Sequence, residues 1–183
     1  MVYISGGNEL LDAKKILKKL GVHEGAKVAD LGCGGAGHFI IPAAKMIGKH
    51  VNAYAIDILK SVLSEVSTKA RLLKIYNIKT TWANLEIFGS TKIKDNELDY
   101  TFLINILFQS KEHKNILLEA KRIMKKGGRL LIIDWNQMDI PFGPSLIDRV
   151  RPEDVRALAE SLDFKFIEEF YAGTYHFGMI LQK

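Results

Sequence analysis

Four glycines stand within residues 30–37, between a short apolar run and a segment of helical periodicity. Glycine allows sharp turns and left-handed backbone, and because it has no Cβ atom a ligand can approach the main chain closely. A strand, a glycine-dense turn and a helix, in that order, are typical of the first unit of a nucleotide-binding α/β sheet. This turn therefore limits the fold class more than any other feature of the chain.

Short apolar runs alternate with helical segments along the rest of the chain, which indicates an α/β protein with a mostly parallel sheet and helices on both faces. Strands are predicted at residues 27–31, 51–56, 79–83, 98–105, 129–134, 165–171 and 175–181. Five helices are predicted. The first is capped by Asn8 and stopped by Gly21, the second runs from the glycine turn to about residue 47, and the third covers residues 61–75. The fourth is capped by Ser110 and ended by Gly127 and Gly128, and the fifth begins at Pro152.

The last two predicted strands are separated by residues 172–174 only. A parallel crossover needs about a dozen residues, so this short connection must be a hairpin and the last strand must run antiparallel. Five strand–helix units closed by such a hairpin give a mixed, seven-stranded sheet. At 183 residues, without a repeat or a linker, the chain is expected to form one domain over residues 1–183.

Composition excludes several kinds of protein. Cys33 is the only cysteine, so an intrachain disulfide is impossible and a reducing, cytoplasmic location is expected. The five histidines lack the spacing of metal ligands, so no metal site is predicted. No apolar run approaches the ~20 residues of a membrane span, and no export signal is expected. The net charge of +5 permits a nucleic-acid partner without requiring one, and the oligomeric state stays open.

The glycine turn also satisfies the pattern G-x-G-x-x-G through Gly32, Gly34 and Gly37, so an NAD(P)-binding oxidoreductase is one alternative. Asp30 argues against it. This carboxylate precedes the first glycine, near the place where a dinucleotide lays its pyrophosphate, and the two negative charges would repel each other. A cofactor with positive charge and no phosphate is favoured instead.

Four segments, in this order and spacing, resemble the motifs of class I S-adenosylmethionine (SAM)-dependent methyltransferases: residues 28–34 (VADLGCG), 55–57 (AID), 99–105 (DYTFLIN) and 122–130 (RIMKKGGRL). The resemblance extends over nearly the whole chain and is strongest to small relatives of the ubiquinone and menaquinone C-methyltransferases. It implies a Rossmann-like sheet in the order 3-2-1-4-5-7-6, SAM as the cofactor and S-adenosylhomocysteine as its product. SAM carries a sulfonium and an ammonium group, which agrees with the acidic Asp30.

The positions that the resemblance assigns to SAM binding are Asp30, Gly32, Cys33, Gly34, Gly37, Asp57, Ile58, Asn84, Leu85 and Asn105. It implies that the first four surround the methionine and ribose part and that Asp57 binds the ribose hydroxyls. Asn84 and Leu85 would meet the adenine, and Asn105 would lie near the transferred methyl group.

Other roles are open for some of these residues. The turn is one residue longer than the common form of the family, so either Gly35 or Gly37 faces SAM. Asp57 could instead cap the following helix, and Asn84 could be a turn residue. Cys33 is expected to be a small residue in a tight loop and no nucleophile.

Ligands of such sheets lie beyond the carboxyl ends of the parallel strands. This rule selects the candidates for the acceptor pocket, which are Asn105, Phe108, Gln109, Asp134, Trp135, Tyr171, Tyr175 and His176. His176, or otherwise Asp134, could act as a general base or could simply be structural. Tyr175 and Trp135 could stack on a flat substrate or form the edge of the core.

We therefore predict methyl transfer to a small molecule, aromatic or quinone-like. Because the sulfonium is already a good leaving group, a general base is needed only if the acceptor must lose a proton. Two other functions stay open: RNA methylation, in view of the basic charge, and SAM binding without turnover, in view of the missing base.

Overall fold

The computed structural model describes residues 10–183, in which one mixed sheet carries helices on both faces. The helices are α1 (Ala13–Leu20), α2 (Ile40–Met46), α3 (Lys60–Leu72), α4 (His113–Ile123) and α5 (Pro152–Ser161). The strands are β1 (Val28–Leu31), β2 (Ala53–Asp57), β3 (Ile78–Trp82), β4 (Leu98–Ile104), β5 (Met124–Trp135), β6 (Lys165–Gly173) and β7 (His176–Gln182).

The strand order is β3-β2-β1-β4-β5-β7-β6. Strands β1 to β5 pair in parallel, whereas β7 runs antiparallel to both β5 and β6. The register places Asp134 of β5 opposite Phe177 and Trp135 opposite His176. The prediction of a seven-stranded Rossmann-like sheet closed by an antiparallel hairpin is therefore confirmed.

Apolar side chains form one core on each face of the sheet. Helices α1, α2 and α3 cover one face, and α4 and α5 cover the other. All residues of β1 are buried, as expected for a central parallel strand with helices on both sides. Because both faces are covered, a ligand can reach the sheet only at the ends of its strands.

The start of α1 differs from the prediction. Asn8 lies outside the described residues, and the carboxylate of Asp12 caps the helix by accepting a hydrogen bond from the N–H of Lys15 at 3.0 Å. Gly21 ends the helix as predicted, in the left-handed conformation with φ of 95°. The cap lies four residues after the predicted one because an acidic residue in the sequence serves this purpose as well as Asn8 would.

The predicted end of α4 at Gly127 and Gly128 is wrong. The helix ends at Ile123 and β5 begins at the next residue, so both glycines lie within the strand. A Cβ atom on Gly128 would lie 2.9 Å from the carbonyl oxygen of Lys125, and Gly127 has a φ of 81°. These glycines therefore permit a close approach of the backbone near the irregular pairing of β4 and β5.

Ser110 does not cap α4, because Glu112 occupies the position before the helix. The Ser110 hydroxyl accepts a hydrogen bond from the N–H of Glu112 at 2.9 Å and donates one to the Glu86 carboxylate at 2.6 Å. Ser110 thus connects the start of α4 with the segment that follows β3.

A buried ion pair holds the connection between β3 and β4. The side chain of Glu119 is fully buried and accepts hydrogen bonds from Gly89 N–H at 2.7 Å and from the Thr91 hydroxyl at 2.6 Å. Arg122 donates to the same carboxylate at 2.7 and 2.9 Å, and also to Asp95. These donors, and above all Arg122, outweigh the effect of burial and lower the pKa of Glu119 to about 2.

We expect Glu119→Ala to lower the free energy of unfolding by about 3–5 kcal/mol, because Arg122 loses its buried partner. Urea unfolding measures this change, with Glu160→Ala as the control. Glu160 pairs with Arg156 on the exposed side of α5, where such a pair contributes about 0–1 kcal/mol. The pKa of Glu119 in the folded protein lies below its usual value of 4.5. The ionised carboxylate therefore contributes fully to the free energy of unfolding above pH 4.5, and this contribution is lost as the pH falls towards 2. A difference between variant and natural protein that does not shrink over that interval would contradict this assignment.

Candidate functional site

A cavity of about 510 Å³ opens at the carboxyl ends of β1, β2 and β4. Eight of the ten positions predicted for SAM binding line it, namely Gly32, Cys33, Gly34, Asp57, Ile58, Asn84, Leu85 and Asn105. Asp30 and Gly37 are not among its lining residues. Gly35 and Ala36 do line it, and they occupy the part of the turn where the sequence left the choice of glycine open.

The glycine turn is anchored to the neighbouring strand. The N–H groups of Gly32 and Cys33 both donate to the carbonyl of Ile56 in β2, at 2.8 and 3.0 Å. Gly32 has a φ of 83°, and a Cβ atom there would lie 2.0 Å from the side chain of Ile106. Glycine is therefore required at this position both by the backbone conformation and by the wall that follows β4.

Asp57 ends β2 beside this turn. One carboxylate oxygen accepts a hydrogen bond from Gly34 N–H at 3.3 Å, and the other accepts one from Leu59 N–H at 3.0 Å. A carboxylate has about four acceptor positions, so lone pairs on both oxygens are left for hydroxyl groups of a ligand. The carboxylate thus serves both the turn before α3 and the cavity.

Asp30 lies beneath the cavity. Its residue is 2% exposed, and burial, followed by the neighbouring charge of Asp57, raises its pKa to about 7; the N–H of Ile40 opposes this shift. Burial also raises the pKa of the Cys33 thiol, with further contributions from Asp30 and Asp57. A thiol that stays protonated is a poor nucleophile, which agrees with the expected inert role of Cys33.

Asn84 and Leu85 begin the loop that follows β3. The Asn84 side-chain oxygen accepts a hydrogen bond from Glu86 N–H at 3.0 Å, and the Ser90 hydroxyl donates to the Asn84 carbonyl at 2.5 Å. Asn84 therefore forms a local turn, as one of the sequence alternatives expected, while its amide N–H₂ group stays available to the cavity. Glu86 also lines this cavity, and no sequence motif indicated it.

Asn105, directly after β4, has a left-handed backbone with φ of 57°. Its N–H donates to Ile133 of β5 at 2.8 Å, and its carbonyl accepts a hydrogen bond from the Gln109 side chain at 2.6 Å. Gln109 lines the cavity and is the acceptor candidate that the structure brings next to the cofactor positions. An asparagine in this strained conformation is a frequent feature of binding sites.

The other acceptor candidates lie outside the cavity lining. Asp134 is fully buried and accepts hydrogen bonds from the N–H groups of Leu107, Phe108 and Trp135, at 3.1, 3.2 and 2.8 Å. Burial nevertheless raises its pKa to about 7. Asp134 thus holds the segment after β4 against β5, which is a structural role.

The two ends of the final hairpin differ in exposure. Tyr171 is 92% exposed, whereas His176 is fully buried beside Trp135, and Tyr175 is half-buried. Burial, together with the charge of Arg149, lowers the pKa of His176 to about 4. A general-base role for His176 stays a prediction.

Within residues 10–183, no cluster of three or more histidine, cysteine or acidic side chains could hold a metal ion. Over the same residues, no helix is long and apolar enough to cross a membrane. The expected cytoplasmic location stays a prediction.

The sheet order, the glycine turn after β1 and the carboxylate at the end of β2 together define the class I SAM-dependent methyltransferase fold. The chain belongs to the methyltransferase domain family, whose pattern matches residues 22–163. SAM is the cofactor of this class of protein. The predicted family and cofactor are therefore both confirmed for the class.

Solved structures share this fold. The chain is similar to a SAM-dependent methyltransferase from Aquifex aeolicus, with a TM-score of 0.86 and 26% identity, over 96% of this chain and 92% of that one. It is also similar to the [4+2]-cyclase SpnF, with a TM-score of 0.78 and 12% identity, over 96% and 80% of the two chains. The second likeness shows the fold alone.

Curated relatives include the demethylmenaquinone methyltransferase of Listeria welshimeri, 28% identical over 129 residues, which are 70% of this chain and 52% of the relative. The enzyme of the same name from a Geobacillus species is 26% identical over 121 residues, which are 66% of this chain and 50% of that protein. The chain spans about half the length of these relatives.

The raised pKa of Asp30 predicts a pH-dependent effect of Asp30→Asn. The folded carboxyl holds its proton up to about pH 7 and the unfolded one only to about 3.8, so the stabilising contribution is complete below the lower value and is lost as the pH rises through the higher. We therefore expect the variant to gain stability relative to the natural protein, by on the order of 1–4 kcal/mol, when the pH is raised from 4 to 8. Urea unfolding at both pH values measures this, with the exposed Asp148→Asn as control. An equal difference at both pH values would show that Asp30 ionises normally.

Proposed function

We propose that this protein transfers a methyl group from SAM to a small-molecule acceptor that approaches beside Asn105. The observation that carries the proposal is the charge of the cavity. Among the described residues that line it, Asp57 and Glu86 carry charge, and none is lysine, arginine or histidine. Such a lining attracts a cationic ligand and repels a diphosphate.

The lining fits SAM in shape as well. A volume of about 510 Å³ lies within the range of about 300–1,000 Å³ that cofactor sites occupy. Asp57 would hold the ribose hydroxyls, and Asn84 and Leu85 would hold the adenine. The backbone of Gly34 to Ala36 would face the methionine part, with Asn105 near the methyl group.

The task of the chain itself is to bind and position the reactants. SAM, when bound, supplies a methyl group on a sulfonium that leaves without further activation. Gln109 fixes the carbonyl of Asn105 at the end of β4, and the side chains of Ile104 and Ile106 form an apolar wall that limits access of water. Positioning of this kind contributes about 7–11 kcal/mol to catalysis in favourable cases.

We further propose that the acceptor is aromatic or quinone-like. Support comes from the similar proteins that are named demethylmenaquinone methyltransferases and from the rings at the ends of β5 and β7. Among the described residues that line the cavity, none is a histidine or lysine that could take a proton, which favours an acceptor that ionises readily.

The first experiment measures binding and turnover together. We expect calorimetric titration to show binding of SAM and S-adenosylhomocysteine and none of NADH. Incubation with methyl-labelled SAM and a cell extract should then place label in the small-molecule fraction, read by mass spectrometry. Label in RNA would favour RNA methylation, and SAM binding without labelled product would favour a binding protein without turnover. Absence of SAM binding would overturn the proposal.

Asp57→Asn tests the cofactor site directly. We expect the Kd for SAM to rise about 10- to 100-fold, because a hydrogen bond to a charged group contributes about 1.5–3 kcal/mol. The amide oxygen of asparagine can still accept a backbone hydrogen bond at this turn, so the fold should persist. Asp154→Asn, an exposed change at the start of α5, is the matched control and should leave the Kd unchanged. Equal affinities of Asp57→Asn and the natural protein would remove Asp57 from the site.

A further inference from the structure

Four rings pack together at the carboxyl end of β5 and the amino end of β7. This aromatic cluster consists of Trp135, Phe142, Tyr175 and His176. The ring centroids of Trp135 and His176 are 4.3 Å apart, those of Trp135 and Phe142 6.2 Å, and those of Phe142 and Tyr175 4.9 Å. Trp135 is 1% exposed and His176 is fully buried.

The cluster contains polar atoms without protein partners. Among residues 10–183, neither the Trp135 Nε1 nor either ring nitrogen of His176 has a hydrogen-bond partner. An unpaired buried polar atom costs about 1–3 kcal/mol, and buried polar groups in proteins are nearly always paired. Trp135 and His176 are in contact, and both have ring nitrogens without a hydrogen-bond partner among the described residues. This indicates that these nitrogens form hydrogen bonds with a bound ligand.

The segment 136–149 covers this cluster, and we call it the cover segment. Its backbone lies directly on the Trp135 ring at Gly143, where a Cβ atom would lie 2.9 Å from the ring and φ is 79°. Three large apolar side chains of the segment are exposed, namely Met138, Leu146 and Ile147, the last at 88%. The cover segment thus separates Trp135 and His176 from solvent.

Arg149 holds the cover segment together. Its guanidinium is buried and donates to the carbonyls of Asn136, Met138, Phe142 and Pro144, at 2.8 Å for the first and 2.9 Å for the last. Among the described residues no carboxylate forms a salt bridge with it. All these acceptors belong to the cover segment itself, and the guanidinium also lies over the Trp135 ring, 5.7 Å from its centroid. Arg149 therefore keeps the segment folded and holds it against the cluster.

The cluster lies at the same edge of the sheet as Asn105, which lines the proposed SAM cavity. Asn105 N–H donates to Ile133, and Trp135 follows two residues later in the same strand. His176 lies opposite Trp135 in the next strand. With adjacent strands about 4.8 Å apart, the rings lie roughly 10 Å from the end of β4.

We propose that Trp135 and His176 form a subsite for a hydroxylated aromatic ring, which enters when the cover segment lifts, and that Arg149 is the positioning residue that keeps the segment closed. The inference rests on the proposed function, because it gives the acceptor a place beside the methyl group. The Trp135 N–H donates to the oxygen of the ligand hydroxyl, and the hydroxyl donates to a nitrogen of the neutral His176 imidazole. The surrounding rings pack on the aromatic face of the ligand.

The indole N–H of Trp135 provides the readout. The chain contains two tryptophans, so in the Trp82→Phe background the nitrogen-15 NMR spectrum shows the indole signal of Trp135 alone. On titration with p-cresol, in the absence of SAM, we expect this signal to move downfield as the hydrogen bond forms. Toluene, which lacks the hydroxyl, should bind about tenfold more weakly and should not move the signal downfield.

His176→Phe should weaken p-cresol binding about tenfold and leave toluene binding unchanged, because one hydrogen bond of about 1–1.5 kcal/mol is removed. Tyr171→Phe, at a side chain that is 92% exposed, is the control and should bind p-cresol normally. Equal shifts with toluene and p-cresol, or full p-cresol affinity in His176→Phe, would overturn the subsite. The comparison of the two ligands on the chain with unchanged His176 decides the question even if that variant does not fold.

Arg149→Gln tests the cover segment. We expect the indole proton of Trp135 to exchange with solvent severalfold faster in this variant, while Arg156→Gln on the exposed side of α5 leaves the rate unchanged. An unchanged rate in Arg149→Gln would overturn the role of Arg149. Calorimetric SAM binding, measured on every variant, separates the two proposals: its loss in the natural chain overturns the proposed function, whereas intact SAM binding without p-cresol binding overturns the subsite alone.

Discussion

The carboxyl edge of the sheet depends on the attachment of the glycine turn to β2. Two consecutive N–H groups, of Gly32 and Cys33, share the carbonyl of Ile56, and this brings the next N–H, of Gly34, to the Asp57 carboxylate. The absence of a Cβ atom at Gly32 also leaves room for the side chain of Ile106. One local backbone conformation therefore joins the ends of β1 and β2 and the segment after β4, and the cavity is the space between them.

Much of this arrangement could be predicted from the sequence, because it follows from spacing. The three residues before the last strand require an antiparallel hairpin, and residues at the ends of parallel strands must meet at one edge. The burial of Asp30 and the cover segment over Trp135 could not be predicted, since both depend on which elements pack above them. Gly127 and Gly128 misled for a related reason: a glycine pair permits either a helix stop or a close approach of strands.

The structure assigns the attraction of a cationic ligand to other residues than the sequence did. The sequence assigned the attraction of a cation to Asp30, whereas the structure buries Asp30 beneath the cavity and places Asp57 and Glu86 on its surface. A surface carboxylate keeps its charge in contact with water, while a buried one tends to be protonated. The absence of basic side chains among the described lining residues acts in the same direction, because no cationic group there would neutralise a diphosphate.

Three buried carboxyl groups show how the environment separates structural from functional charge. Glu119 has Arg122 and several other donors and stays ionised, and it is not among the residues that line the cavity. Asp30 and Asp134 lack a cationic partner among the described residues, and burial raises the pKa of both to about 7. Charge beneath the site is therefore small below neutral pH, so the field at the cavity comes mainly from the half-buried Asp57 and the exposed Glu86. Under the proposed function, a cationic ligand is then attracted to groups that it can also contact, and we expect the same two side chains to contribute to both affinity and orientation.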